Sequence, residues 1–113
     1  MSFKDVRAPL MDILDNIVRA KSFVQGVSFA QFVENSLYSY AVIRALEIIS
    51  EASRKLPEDL KERYAHIPWK QIAGSGNIFR HDYEDVLERI VWDTVHTALD
   101  PLEDVVKKEL EKF

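Results

Sequence analysis

The chain has 113 residues, no cysteine and a formal net charge of −4. A chain of this length typically forms one domain, and the missing cysteines exclude a disulfide framework, a thiolate zinc site and a cysteine nucleophile. The start of the chain lacks the apolar run of a secretory signal, and no stretch approaches the ~20 apolar residues of a membrane span. We therefore expect a single domain over residues 1–113 that is cytoplasmic and does not enter a membrane. Because non-specific affinity for nucleic acid needs a basic surface, binding of RNA would require a local basic cleft.

Apolar residues recur at helical spacing along the first part of the chain, and they predict a helix that Gly26 ends. The residues of this face are Val6, Leu10, Ile13, Leu14, Ile17, Val18 and Val24. Ser28 then predicts the cap of a short helix through Phe29, Phe32 and Val33.

The segment from Asn35 to Leu56 predicts the strongest helix of the chain, because its apolar residues line one face. That face comprises Leu37, Tyr40, Ala41, Ala45, Ile48, Ile49 and Ala52. Pro57 ends this helix, and the acidic residues that follow it predict the first turn of a short helix that ends near Tyr64.

Pro68 suits the first turn of the next helix, which we predict from Trp69 to about His81. A long helical pattern follows from Val86 toward the C-terminus. Within it, Asp100-Pro101-Leu102-Glu103 has the order of a cap, a first-turn proline and a capping-box glutamate, so we expect the helix to restart or kink there. No segment alternates apolar and polar residues over the length of a strand. The predicted fold class is therefore all-α, an up-and-down bundle of about five helices.

The segment from Gly76 to Tyr83 brings together an amide, a guanidinium, an imidazole, a carboxylate and a phenol within eight positions. His81 can give and take protons near neutral pH, and the planar guanidinium of Arg80 suits a phosphate group. Together they supply what metal-free RNA cleavage needs, namely proton transfer at the 2′-hydroxyl or the leaving oxygen and positive charge beside the phosphorane. On the residues alone, an Arg-His pair near a helix C-terminus is more often a solvated cap that complements the helix dipole.

A longer succession of residues spans nearly the whole chain and resembles the HepT-like family, which belongs to the HEPN superfamily of small helical proteins. It consists, in order, of Ala41-Val42-Ile43-Arg44-Ala45-Leu46-Glu47-Ile48-Ile49, Glu51-Ala52, Ile67-Pro68-Trp69, Ile72-Ala73-Gly74, Asn77, His81-Asp82-Tyr83 and Val91-Trp92. Each piece is unspecific by itself, whereas the ordered set with its spacings is characteristic.

The resemblance implies a homodimeric, HEPN-like helical bundle that is encoded beside a minimal nucleotidyltransferase. In such a pair the HepT-like protein is the toxin, an endoribonuclease that uses neither a metal nor a cofactor and cuts RNA at a cleft in the dimer interface. The nucleotidyltransferase is the antitoxin and silences the toxin by transferring AMP onto a tyrosine. The family motif is an arginine, four residues, a histidine, any residue and a tyrosine. His81 matches the histidine, Tyr83 the tyrosine that would accept AMP, and Asn77 the asparagine that commonly follows the arginine.

The motif arginine is replaced by Gly76, and no arginine lies four to six residues before His81. On a continuous helix, positions 76 and 80 are about 6 Å apart along the axis and share a face, and long side chains lean toward the N-terminus. We therefore hypothesise that Arg80 reaches back over Gly76 and replaces the missing guanidinium. The alternative is a non-catalytic module that binds the nucleotidyltransferase or its substrate, in which Gly76 records lost catalysis.

Other residues also have more than one interpretation. Arg44 would either bind phosphate beside Arg80 or, as a semi-buried arginine, pair with Glu47, Glu51 or a carboxylate of the dimer mate. His96 is expected to face solvent. The large aromatic residues are expected in the core or the dimer interface rather than as platforms for bases: Trp69, Trp92, Phe29, Phe32 and Phe79. The densest basic stretch would either guide RNA or form a solvated face: Arg54, Lys55, Lys61, Arg63 and Lys70.

Overall fold

The first two helices of the computed structural model begin and end where the sequence signals predict. The structure describes the backbone of residues 5–81 and 84–113, and the side chains of residues 5–76 and 88–113. Helix α1 (Arg7–Phe23) is followed by Gly26, whose φ of 73° lies in the left-handed region that glycine adopts without strain. Helix α2 (Phe29–Glu34) starts with a capping box. The side chain of Ser28 accepts a hydrogen bond from the backbone N–H of Gln31, and the side chain of Gln31 accepts one from the backbone N–H of Ser28.

Helix α3 (Ser36–Ser53) buries a face that is offset from the predicted one. The prediction was wrong for Leu37 and Tyr40, which are 71% and 73% exposed. Three serines are buried in α3 instead, because each hydroxyl donates to a main-chain carbonyl oxygen: Ser39 to Ser36, Ser50 to Ala73 and Ser53 to Ser50.

The next two helices, α4 (Glu58–Arg63) and α5 (Trp69–His81), have the predicted bounds. The buried indole of Trp69 fixes the start of α5 against the end of α4. Its Nε1 donates to the carbonyl oxygens of Lys61 and Tyr64, at 3.1 and 3.0 Å.

The long C-terminal helical pattern is interrupted one turn earlier than predicted. Helix α6 (Glu84–Asp93) passes into a π-helical turn (Thr94–Ala98), and α7 (Leu99–Leu110) follows without a break. Asp100 is therefore not a cap, because α7 begins before it, and its carboxylate accepts a hydrogen bond from Lys21 instead. The wider turn lies where Pro101 needs room, since a proline ring crowds the carbonyl of the residue four positions earlier.

The described helices enclose one core. Helix α1 packs against α3 and α7, and α5 packs against α3. The most deeply buried apolar residues come from several of these helices: Leu10, Ile13, Ile17, Phe32, Val42, Leu60, Val91, Leu102 and Val106. The described part of the chain contains no strand, so the predicted all-α bundle is confirmed. None of the described helices has the length and apolar character needed to cross a membrane.

Candidate functional site

Helix α5, which carries the predicted site, packs against α3. It begins beside the end of α4, and the Ser50 hydroxyl near the end of α3 donates to the Ala73 carbonyl oxygen at 2.9 Å. These contacts fix the first half of α5 against the end of α4 and against α3.

Gly76 is buried within α5, three residues after Ala73. Because α5 is one uninterrupted helix as far as His81, positions 73, 76 and 80 share one face of that helix. The structure thus provides the continuous helix on which the hypothesis about position 80 depends. The side chains of Asn77, Arg80 and His81, and the whole of Tyr83, lie outside the described residues, so their roles stay predictions.

Arg44 lies at the surface rather than in the semi-buried position predicted for it. The Arg44 side chain is 69% exposed, and its Nη1 lies 3.8 Å from Oε1 of Glu47. An exposed pair at this distance holds a guanidinium weakly, because water and salt screen it. The expected pairing with Glu47 is present but loose, so Arg44 can still turn toward a phosphate or another chain.

A groove of about 460 Å³ separates α5 from a wall formed by α6, the π-helical turn and α7. Two hydroxyl groups line the groove, those of Ser75 and Thr94. Each donates a hydrogen bond within its own helix, to the carbonyl oxygens of Ile72 and Ile90 respectively. No titratable side chain is among its described lining residues, so they provide no group for proton transfer. The apolar part of the lining is mostly aliphatic: Leu46, Ile49, Ile72, Ile90, Leu99 and Leu102.

A first ionic cluster connects α1 to α7. The ammonium of Lys21 lies 2.6 Å from a carboxylate oxygen of Asp100 and 2.6 Å from one of Glu103. The hydrogen bond to Asp100, followed by the one to Glu103, raises the pKa of Lys21 above its ordinary value. The hydrogen bond from Lys21 in turn lowers the pKa of Glu103. Both effects stabilise the contact between the two helices.

A second ionic cluster centres on the buried carboxylate of Glu109 in α7. It accepts hydrogen bonds from Arg63 and from the Tyr64 hydroxyl, at 2.8 and 2.6 Å, and lies 2.8 Å from the ammonium of Lys112. Burial by itself raises the pKa of Glu109, but the three donors more than offset it, so the pKa lies below its ordinary value. Like the first cluster, this one joins helices, and it includes none of the residues predicted for the site.

The basic stretch is partly neutralised by neighbouring carboxylates. Arg63 pairs with Asp59 at 3.3 Å as well as with Glu109, and Lys61 lies 3.9 Å from Glu58. These contacts favour the solvated-face interpretation for Arg63 over a role in guiding RNA, whereas the side chain of Lys61 is only 16% exposed. In the part of the chain whose side chains are described, no three carboxylate or imidazole groups come together to hold a metal ion.

Of the five aromatic residues predicted to pack, Trp69, Trp92, Phe29 and Phe32 do so, whereas the side chain of Phe79 lies outside the described residues. Phe32 and Trp69 are buried, and the Trp92 ring lies 5.5 Å from that of Phe29 and 5.3 Å from that of Phe32. His96 is exposed, as predicted, with its ring 3.9 Å from the Trp92 ring and its Nδ1 2.8 Å from the Trp92 carbonyl oxygen.

Comparison with known proteins identifies relatives of the chain along almost its full length. Residues 13–109 match the family described as Ribonuclease HepT-like. "Putative RNase MJ1380" of Methanocaldococcus jannaschii is 40% identical to the chain, and the match covers 98% of the chain and 98% of the relative. "Putative RNase MJ1216" of the same organism is 37% identical, and the match covers 100% of the chain and 90% of the relative. "Probable ribonuclease HepT" of Thermococcus cleftensis is 35% identical over 88% of the chain and 90% of its own length. No solved structure matches the chain.

Proposed function

The chain belongs to the HepT-like ribonuclease family, and we propose on this basis that it is an endoribonuclease that acts without a metal ion or a cofactor. The observation that carries the proposal is the extent of the family match, which runs from residue 13 to residue 109 and so includes His81 and Tyr83. We propose further that the protein is a cytoplasmic homodimer that cuts RNA at a cleft between its two copies. Its partner would be a minimal nucleotidyltransferase, with the chain as toxin and the transferase as antitoxin.

The proposed reaction is attack of a ribose 2′-oxygen on the neighbouring phosphorus, with departure of the 5′-oxygen of the next nucleotide. His81 takes the proton of the 2′-hydroxyl or gives one to the leaving oxygen. A guanidinium beside the phosphate stabilises the negative charge that develops on its oxygens. In this proposal Arg80 provides that guanidinium by leaning back over Gly76, and Asn77 and Arg44 support the phosphate.

Two features of the fold support these assignments. Helix α5 is uninterrupted from Trp69 to His81, so position 80 lies one turn after Gly76 on the same face. Helix α5 packs against α3, whose Arg44 is exposed and only loosely paired. In this proposal Arg80 and Arg44 therefore supply guanidinium groups from two neighbouring helices.

The proposal is tested by an RNA cleavage assay in the presence of a chelator, with three single variants. His81→Ala is expected to lower the rate by about 10²–10⁴-fold, the usual contribution of a general acid or base. Arg80→Ala is expected to lower it by about 10²-fold or more, because charge stabilisation is lost. Arg19→Ala, at an exposed position on α1, serves as the control and should leave the rate unchanged. Equal activity of the wild type, His81→Ala and Arg80→Ala would contradict the assignment.

Restoring the family motif gives a second, independent test. Gly76→Arg is expected to add little activity while Arg80 is present, and to rescue the Arg80→Ala variant. Because Gly76 is buried, thermal unfolding must first show that the variant folds. A large gain of activity from Gly76→Arg alone would mean that Arg80 does not replace the motif arginine.

A second candidate function is favoured by Gly76 itself. In it, the chain is a non-catalytic module that binds the nucleotidyltransferase and presents Tyr83 for modification, or holds the substrate of the transferase. Growth after induction of the chain alone, and then together with the transferase, separates the two functions. Arrest that the partner relieves supports the ribonuclease, and harmless expression supports the module. An AMP adduct found by mass spectrometry in wild type and lost in Tyr83→Phe would identify the acceptor.

A further inference from the structure

Three serines of α3 are buried, and one of them bonds to a different helix. The hydroxyls of Ser39 and Ser53 donate to carbonyl oxygens three residues earlier in α3 itself, at 3.1 and 2.6 Å. That is the usual local bond of a serine within a helix. The hydroxyl of Ser50 instead donates to the Ala73 carbonyl oxygen of α5, at 2.9 Å. Ser50 is fully buried, so water does not compete for this bond.

The bond between Ser50 and Ala73 is not needed to satisfy either group. In a continuous α-helix, the Ala73 carbonyl oxygen already accepts the N–H of residue 77, and it has two lone pairs. The Ser50 hydroxyl could turn to a carbonyl oxygen of the preceding turn of α3, as the Ser53 hydroxyl does. The bond therefore determines where α5 lies relative to α3.

The first half of α5 is held on the side of α3 and α4. The indole of Trp69 anchors its first turn to the end of α4, and the Ser50 hydroxyl anchors it one turn later. On another side, the groove of about 460 Å³ separates α5 from α6, the π-helical turn and α7. The three residues that follow Ala73 include two glycines, which are poor helix formers. The Ser50 bond thus holds α5 just before its weakest part.

We infer that Ser50 is a positioning residue for the candidate site, because its bond to Ala73 sets where α5 carries Asn77 and Arg80. This role rests on the proposed function, which it deepens. Positions 77 and 80 follow Ala73 by four and seven residues, so the three positions share one face of the continuous helix. Position 80 lies about 10 Å beyond Ala73 along the axis, so a tilt of α5 by about 10° at Ala73 would move it by about 2 Å.

Catalysis is more sensitive than folding to such a movement. A displacement of about 1 Å can lower a rate about 10²-fold, because the reacting groups must stay within hydrogen-bond reach of each other. Folding loses only one hydrogen bond when alanine replaces Ser50, since the Ala73 carbonyl keeps its partner within α5. The loss of activity should therefore exceed what a smaller folded fraction explains.

RNA cleavage by two alanine variants tests this role. Ser50→Ala is expected to lower kcat by about tenfold or more and to change KM by less than about twofold, because RNA still binds while the reacting groups are misplaced. Ser53→Ala is the matched control, since it removes a hydroxyl that is also buried in α3 but bonds within that helix. Its kcat should stay within about twofold of wild type. Thermal unfolding should show similar shifts for both variants.

A second pair of variants separates the hydroxyl from the volume of the side chain. Ser50→Thr keeps the hydroxyl and adds a methyl group, whereas Ser50→Val has nearly the same shape without the hydroxyl. Ser50→Thr should therefore keep a higher kcat than Ser50→Val. Equal kcat values for these two variants would overturn the inference, as would equal kcat values for Ser50→Ala and Ser53→Ala. If the added methyl group prevents folding of both, the alanine pair decides.

Hydrogen exchange of the α5 amides tests the hold on α5 without RNA. Loss of one hydrogen bond should speed exchange at residues 77–81 about 2- to 10-fold in Ser50→Ala and leave it unchanged in Ser53→Ala. If the wild type cuts no RNA, the ribonuclease is contradicted and exchange alone decides. Faster exchange in Ser50→Ala then supports the hold on α5, and equal exchange in the two variants overturns it. If the wild type cuts RNA and the two variants match it in rate and exchange, the ribonuclease stands and the role of Ser50 fails.

Discussion

The carboxylate of Glu109 holds the end of α7 to the end of α4, and it is the most buried charged group that the structure describes. Its side chain is 4% exposed, whereas those of Arg63 and Lys112 are 45% and 56% exposed. In the variant Glu109→Gln, one carboxylate oxygen becomes an NH₂ group, which cannot accept a hydrogen bond. The Tyr64 hydroxyl can rotate and accept from that NH₂ group, but an ammonium or guanidinium cannot. The variant therefore loses one charge-assisted hydrogen bond while the shape of the side chain is kept.

The expected loss follows from that single contact. A hydrogen bond to a charged group contributes about 1.5–3 kcal/mol, and the exposed partner can turn back to water, so the loss should be about 2 kcal/mol. For a chain of this size, that corresponds to a melting temperature lower by about 8 °C. Glu111→Gln, at an exposed position near the same helix end, is the control and should change stability by less than about 0.5 kcal/mol.

A comparison of stability at neutral and acidic pH gives a second test, because the pKa of Glu109 lies below its ordinary value of 4.5. A carboxyl group whose pKa is lowered by folding contributes stability that is fully present above the unfolded pKa and is lost as the pH falls through the folded pKa. Urea unfolding at neutral pH and at a pH below the folded pKa should therefore show a gap between wild type and Glu109→Gln that shrinks in acid. An unchanged midpoint at neutral pH, or a gap that stays constant in acid, would refute the reasoning.

Further substitutions test the local features of the helices. Gly26→Ala should lower the free energy of unfolding by about 1 kcal/mol because of the positive φ at this position, whereas Gly74→Ala inside α5 should raise it by up to about 1 kcal/mol. An added Cβ meets nothing within 4 Å at either position, so the difference comes from the backbone alone. Changes of the same sign in equilibrium unfolding would contradict this argument. Ser28→Ala should cost about 1 kcal/mol in thermal unfolding through loss of the α2 cap, and Ser28→Asp should recover most of it. Lys21→Met should raise the pKa of Glu103 toward its ordinary value in an NMR titration, and an unchanged pKa would show that the pair does not persist in solution.

The helix bounds could be predicted because their signals are local. The positive φ of Gly26 and the capping box of Ser28 depend on residues within a few positions, which the sequence displays directly. The starts of α4 and α5 after Pro57 and Pro68 are equally local. A reader of the sequence needs no knowledge of the tertiary fold to place these four boundaries.

The buried face of α3 could not be predicted in this way. Hydropathy counts serine as polar, yet Ser50 is buried because its hydroxyl donates to Ala73, which lies 23 residues further along the chain. Leu37 and Tyr40 count as apolar, yet they face solvent. Both errors have the same physical origin, since the partner that covers a helix face is set by long-range packing rather than by the face itself. The position of the π-helical turn, one turn before Pro101, is a similar case.

For the candidate site, the sequence predicts the motif, and its missing arginine falls at a position that the structure shows to be buried in α5. A residue without a side chain suits such a position, because a long charged side chain is costly to bury. An arginine at 76 would have to turn out of this buried position, whereas position 80 lies one turn further along α5. Burial at position 76 and a functional guanidinium are therefore compatible, provided that the cation is supplied from position 80. On this argument Gly76 is evidence for helix packing first, and it weighs against catalysis only if Arg80→Ala leaves RNA cleavage unchanged.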